Sequence, residues 1–341
     1  MKGCVFLHVT GFVLRSLLRS RSALLLTCAI VGLMLLSVGT RLPITGQGAG
    51  AFDLIHALVE DPSLERVAAW GASFFTLTPV PRGAVATSVL FSNEGTRHDV
   101  STICLSGVLL FALPLAAMLI GVGTAPPRGG ASLTICSAPI RRATLYLAYT
   151  TALLGYLVAV LAVGWGFCAL LLHTTGLGGQ TVQRQLVSAV AYSALFAGIC
   201  ASLGLWLGVW FKRPSAAMLA GIVGIIVLVA ILPNLGEFLT ESYFDARPEL
   251  VQPVRDTGVW PSDPAFRAIL AVRHTPANAL QRILREIANP TPTTLDRTCH
   301  CRVAWSSAKA ITEETIALAA ALVIAVLAGL SVFAQREVSE S

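Results

Sequence analysis

Six long apolar stretches of this chain hold no Asp, Glu, Lys or Arg, although its 341 residues include 24 bases and 18 acids. They cover residues 23–40, 101–123, 143–172, 186–210, 216–235 and 315–334. A helix rises about 1.5 Å per residue, so each stretch reaches across a hydrocarbon core about 30 Å thick. A charge at the centre of such a helix costs about 2.5–3.5 kcal/mol on insertion scales. The sequence therefore predicts an all-α polytopic membrane protein with six transmembrane helices.

Composition supports this. The chain is 55% hydrophobic and 12% charged, against about 25% charged in soluble domains. A net charge of +6 would suit nucleic acid, but its distribution argues for a membrane and no nucleic-acid partner. With the N-terminus inside, the inner segments are 1–22, 124–142, 211–215 and the tail after 334. They carry Lys2, Arg15, Arg19, Arg21, Arg128, Arg141, Arg142, Lys212, Arg213 and Arg336, with Glu337 and Glu340 as their acids. The outer segments are near neutral, with fourteen bases and sixteen acids. This is the positive-inside pattern. It predicts a multi-pass protein of the plasma membrane with both termini cytoplasmic.

The first apolar run, with small residues near Ser37 and Gly39, has some features of a signal peptide. The 22 residues before it exceed a usual basic leader, so the run is read as a retained first span. Cleavage would leave five spans in the same orientation. Cys28, Cys104, Cys136, Cys168 and Cys200 lie in or beside apolar segments, where cysteine behaves as a small hydrophobe. The eight cysteines form no evident disulfide framework.

Residues 1–22 read as an amphipathic helix, with Val5, Phe6, Val9, Phe12, Val13 and Leu17 apolar and Arg15, Arg19 and Arg21 basic. Such a helix suits the cytoplasmic interface, its bases near anionic headgroups; a basic flank that merely orients the first span is the plainer reading. The remainder, 23–341, is read as one transmembrane domain. Two long outer loops, 41–100 and 236–311, are too long to be bare connections and are expected to form a small helical cap. In the first, residues 52–70 are helix-like and 78–83 form a Pro/Gly turn. In the second, 264–273 and 276–287 are amphipathic, and Asn289-Pro290-Thr291-Pro292 breaks the pattern. Gly204 with Gly208, and Ala220 with Gly224, have the four-residue spacing that lets helix backbones approach in lipid. Pro114 is expected to kink the second span.

The cytoplasmic connection 124–142 stands out. It runs Gly130-Ala131-Ser132-Leu133-Thr134-Ile135-Cys136-Ser137-Ala138-Pro139-Ile140-Arg141-Arg142 and leads through Ala143 and Thr144 to Leu145. An apolar cytoplasmic segment of this kind needs a membrane surface or a partner to pack on. The stretch resembles one found at this place in the ABC-2 family of ATP-binding-cassette transporter permeases. The likeness is greatest to the six-helix subfamily that includes the nitrous-oxide-reductase maturation permease. That family carries Gly-Thr-Leu-x-Leu-Leu-Leu-Ser-x-Pro-Val/Ile-Ser-Arg-x-x-Leu-x-x-Gly-Lys. Gly130, Ser137, Pro139, Ile140, Arg142 and Leu145 match in register. Ala148 and Tyr149 stand where Gly and Lys are usual, and Ala125-Pro126-Pro127-Arg128-Gly129 replaces a run normally rich in Glu and Arg.

Weaker likenesses follow in order along the chain. They are the arginine-rich start 14–21, the basic turn Phe211-Lys212-Arg213-Pro214, the element Thr275-Pro276-Ala277-Asn278-Ala279, and the close Phe333-Ala334-Gln335-Arg336-Glu337-Val338.

The resemblance implies a permease without catalytic residues or a cofactor of its own. A separate ATPase subunit binds ATP and Mg, and a second permease copy or paralogue completes the unit. Gly130, Ser137, Pro139, Ile140, Arg141 and Arg142 would form a coupling element seated in the ATPase. Arg141 and Arg142 would touch the ATPase or lipid headgroups, or serve topology alone.

Two other motifs suggest chemistry of their own. Gly176-Leu177-Gly178-Gly179-Gln180 looks like an ATPase signature, but it lies in a short outer loop. The three lysines, Lys2, Lys212 and Lys309, leave no Gly-x-x-x-x-Gly-Lys phosphate loop. Cys299-His300-Cys301 offers soft ligands for copper or zinc, but adjacent ligands wrap one ion poorly. A disulfide to another outer cysteine such as Cys104, or no special role, are the alternatives. An ion-coupled transporter would need ionisable groups within the membrane, and an intramembrane enzyme a nucleophile, carboxylate or metal constellation. The six stretches show neither. The sequence thus favours a transport subunit, most simply an exporter, over a non-transporting structural or assembly subunit.

Overall fold

The computed structural model describes residues 2–39, 105–125, 142–174, 180–211, 213–251, 261–273, 275–288, 294–296, 301–303 and 307–335. They are almost entirely helical. In chain order the elements are α1 (Lys2–Arg19), α2 (Arg21–Gly39), α3 (Leu113–Thr124), α4 (Arg142–Thr174), α5 (Gln180–Trp210), α6 (Pro214–Ile225), α7 (Leu232–Asp245), α8 (Pro264–Arg273), α9 (Pro276–Ala288), β1 (Thr294–Asp296), β2 (Cys301–Val303) and α10 (Ser307–Gln335).

Among the described residues, four helices are long and apolar enough to cross a membrane: Ala143–Leu171, Leu186–Trp210, Pro214–Ile231 and Glu314–Phe333. A fifth is added if Phe6–Arg19 and Arg21–Ser37, bent by 71° at their junction, count as one broken span. The stretch 101–123 contributes a shorter apolar helix, Val108–Thr124.

Two prolines shape their helices in the same way. The π segment Val108–Ala112 precedes Pro114, and the π segment Ile226–Ile231 precedes Pro233. Proline lacks the N–H that would bond four residues back, and its ring crowds that carbonyl. Widening the turn before it accommodates both defects. The kink expected at Pro114 therefore takes the form of a π segment. The helical run that starts at Pro214 continues through the π segment and α7 to Asp245. The second outer loop, expected from residue 236, thus begins with helix.

The chain divides into two compact units. One comprises Met1–Leu42, Phe111–Ile225 and Ala319–Ser341; the other comprises Pro43–Leu110 and Ile226–Leu318. In the first unit α3 packs on α5, α6 packs on both, α4 packs on α5, and α1 and α2 pack on α4. Within an apolar 18-residue stretch of each helix, 61% is buried in Leu186–Trp210 and 39% in Ala143–Leu171, so α5 is the more central of the two. Glycine permits its close contacts. A Cβ at Gly204 would collide with the Met118 carbonyl oxygen, and one at Gly208 would stand 2.7 Å from that of Val122. Gly121 on α3 meets the Ala201 carbonyl of α5 in the same way. The Gly204–Gly208 face is therefore a true packing face.

At Gly224, of the Ala220–Gly224 pair, the described residues make no such contact. Among the described residues nothing lies within 4 Å of a Cβ placed at Gly224; Gly221 instead faces Met118, at 3.0 Å from its Cγ. Four-residue spacing identifies a face but not which of several small residues occupies it.

In the second unit α7 packs on α8 around Tyr243, Phe244 and Phe266, with Leu250, Val251, Ile269 and Leu270 against them. Asp263 caps α8: its Oδ1 accepts from Ala265 N–H at 3.1 Å, with Pro264 in the first turn. Thr275 caps α9, its Oγ1 accepting from Asn278 N–H at 3.4 Å. α8 fits its predicted bounds, and α9 extends one residue further, to Ala288. A short antiparallel ribbon pairs Thr294 with Val303 and Asp296 with Cys301. The cap expected to be helical therefore also contains strand. Residues 52–70 and 78–83 lie outside the described residues.

Candidate functional site

Side-chain contacts fix the directions of the helices in the first unit. Thr27 and Met34 of α2 meet Tyr156 and Gly164 of α4 in the same order, so α2 and α4 run parallel. Met118 and Val122 of α3 meet Gly204 and Gly208 of α5, also parallel. Tyr146, at the start of α4, faces Gly329 and stacks 5.7 Å from Phe333, both near the end of α10. Leu154 of α4 and Leu322 of α10 both lie against Gly198, so α10 runs antiparallel to α4. Residues 175–179 join α4 to α5, and so short a connection makes them antiparallel neighbours.

One end of this unit therefore gathers the starts of α2 and α4 with the ends of α3, α5 and α10. Arg21 opens α2, Arg142 opens α4 and Arg213 follows α5. Arg15 and Arg19 lie on α1, which joins α2 through Ser20 at this end. These arginines come from segments far apart in sequence; here their helix ends share one face. Aromatic side chains accompany them: Trp206 and Trp210 stack at 5.8 Å near the end of α5, an arrangement typical of a membrane–water interface.

The junction of α1 and α2 corrects the expected bounds of the interfacial helix. α1 stops at Arg19, and Arg21 belongs to the first turn of α2. Ser20 breaks the helix because its hydroxyl caps α2, accepting from Ala23 N–H at 3.4 Å and lying 3.0 Å from Ser22 Oγ. The signal was the Ser20-Arg21-Ser22 run, hidden within an apparently continuous amphipathic pattern. Val13 and Leu17 of α1 are buried, while Arg15, Arg19 and Arg21 are exposed.

The coupling stretch is bracketed by this end. α3 finishes with Thr124 donating to the Ile120 carbonyl at 2.6 Å, and Ala125 leaves helical geometry with ψ 138° before Pro126. α4 begins at Arg142. Gly130, Ser137, Pro139, Ile140 and Arg141 lie outside the described residues, as do Cys299 and His300; Cys301 opens β2. Thr275 and Asn278, singled out by resemblance, form a helix cap in the second unit.

No family model matches this chain, and no curated protein matches it.

Proposed function

We propose that this chain is the transmembrane permease subunit of an ATP-binding-cassette transporter, an exporter of the ABC-2 type. A separate subunit that binds ATP and Mg drives it, and a second permease copy or paralogue completes the unit. The observation that carries the reading is the register of Gly130, Ser137, Pro139, Ile140 and Arg142 in the stretch leading into α4. Two features support it. The helix ends flanking that stretch share a face rich in arginine, as a surface touching a soluble motor and lipid headgroups would need. The helices of the first unit are locked by glycine contacts at α3, α5 and α6, which suits transmission by rigid-body movement.

In this reading α2, the Val108–Thr124 helix and the four longer apolar helices make six spans in the plasma membrane. The basic face and both termini are cytoplasmic, and 124–142 is the coupling element. The replacement of the usual Glu/Arg run by Ala125-Pro126-Pro127-Arg128-Gly129 favours the second reading, a non-transporting structural or assembly subunit.

Purification from native membranes under mild detergent separates the two. A stoichiometric companion with a phosphate loop is expected. Its ATP hydrolysis should fall when Pro139→Ala and Arg142→Ala are introduced together. An intact complex without such a companion, or unchanged turnover in the variant, removes the transporter assignment.

A further inference from the structure

We propose that α1 carries a binding site for the phosphate of an anionic phospholipid, formed by Arg15, Ser16, Arg19 and Ser20 beside Phe12. This rests on the chain being a membrane protein, not on the transporter assignment.

These five residues line a groove of about 510 Å³. Their spacing puts them on one helix face, with Ser20 at the 71° bend into α2. Arg15 and Arg19 are exposed and one helical turn apart. Like charges at that spacing destabilise a helix unless an anion lies between them. The protein itself offers little to do this. Residues 1–52 contain no Asp or Glu, and the first unit's acids are Glu337 and Glu340, beyond the end of α10. Its described residues contain neither Asp nor Glu. No carboxylate among the described residues of this unit neutralises the pair, which leaves it open to an external anion.

The rest of α1 specifies what kind of molecule. Leu7, Leu14 and Leu18 recur with the same spacing as His8, Arg15 and Arg19, displaced by one residue. An apolar stripe therefore lies about 100° around the helix from the basic one. Leu7 is 69% exposed and Leu18 53%, while Phe12 flanks the groove at 58%. The buried face, with Val13 and Leu17, belongs to the packing of α1 on α4. α1 thus presents acyl-compatible surface and phosphate-binding groups side by side, next to the start of α2. Arginine suits a phosphate because its planar fork donates two parallel hydrogen bonds, and the Ser16 and Ser20 hydroxyls add donors. A free anion would use the arginines but leave the leucines in water.

The full-length protein in detergent should be titrated with phosphatidylglycerol and with phosphatidylcholine of identical chains, and bound lipid counted by native mass spectrometry. The wild type is expected to prefer phosphatidylglycerol by about tenfold or more, from the attraction of two bases. Arg15→Gln with Arg19→Gln should abolish the preference, and Arg15→Lys with Arg19→Lys should keep part of it. Arg184→Gln, at the far end of the unit, should leave it intact and serves as the control for lost charge. Leu7→Ser with Leu18→Ser should weaken lipid retention without altering competition by inorganic phosphate. If the glutamine variant does not fold, a salt titration of the wild type decides: the preference should fall as ionic strength rises.

An equal preference in the glutamine variant, or one insensitive to salt, overturns the proposal. Full displacement by inorganic phosphate would make this a free-anion site. Retention of an acidic protein partner in place of lipid would make it a docking surface. Either result also rejects the lipid assignment.

Discussion

The hydroxyls of Thr27 on α2 and Tyr156 on α4 lie 2.7 Å apart, joining residues 129 positions distant in sequence. Tyr156 is buried, and the bond fixes the register of two parallel helices whose starts both carry arginine. Removing the threonine hydroxyl leaves the phenol to find another partner. Thr27→Val should destabilise the protein by about 0.6 kcal/mol, with about 1.7 kcal/mol as the upper end for such bonds between membrane helices. Tyr156→Phe in the same background should add little. Denaturation midpoints in mild detergent with graded SDS test both, and additive losses would show the hydroxyls to be uncoupled.

Gly204 and Gly224 should respond in opposite ways to a single methyl group. Gly204→Ala drives a Cβ into the Met118 backbone carbonyl, and overpacking of this kind costs about 1–3 kcal/mol. Gly224→Ala meets open space among the described residues and should change stability by less than about 0.5 kcal/mol. Thermal unfolding in detergent separates them. Equal midpoints would contradict the α3–α5 contact.

Tyr146 and Gly329 form a second test of close packing. The Tyr146 Oη is buried, with no hydrogen-bond partner among the described residues, and it occupies the space a Cβ at Gly329 would need. Tyr146→Phe should be neutral or slightly stabilising, because it removes an unsatisfied polar atom. Gly329→Ala should cost about 1–3 kcal/mol, and the double variant should recover part of that loss. A double-mutant cycle on thermal stability reads the coupling.

Asp263 makes the α7–α8 contact sensitive to acid. Its carboxyl is held below the ordinary 3.8, first by the Ala265 N–H and then by the Tyr243 phenol, with Arg247 adding its charge. Tyr243 donates to Oδ2 at 3.0 Å, and Arg247 lies 3.4 Å from the same oxygen and 4.4 Å from the Tyr243 ring centre. A lowered folded-state value means that the ionised form stabilises the fold. That contribution is complete above the ordinary carboxylate range and is lost as pH falls through the lowered value. Amide protection in α8, measured by hydrogen exchange, should therefore decline in that acid window. In Asp263→Asn the decline should disappear, since the amide caps without titrating. An unchanged acid profile in the variant would assign the effect to another group.

The sequence determined the helical, membrane-suited character of this protein. Charge-free runs long enough to span a bilayer leave few other folds open, because the bilayer penalises both buried charge and unpaired backbone. It also determined α8 and α9, where Asp263-Pro264 and Thr275-Pro276 place caps and first-turn prolines together. The Gly204–Gly208 face was legible for a similar reason: in lipid, close backbone approach needs small residues at fixed spacing. The coupling stretch, by contrast, is a proposal that rests on residue pattern.

Tertiary structure alone decided that Ser20 ends α1, that Gly221 rather than Gly224 meets Met118, and that arginines from α1, α2, α4 and the turn after α5 share one end. Helical period tells which residues share a face of their own helix. It does not tell which neighbour covers that face or where a chain 100 residues away returns. Those outcomes depend on contacts between distant segments, and only packing selects among the partners that local pattern allows.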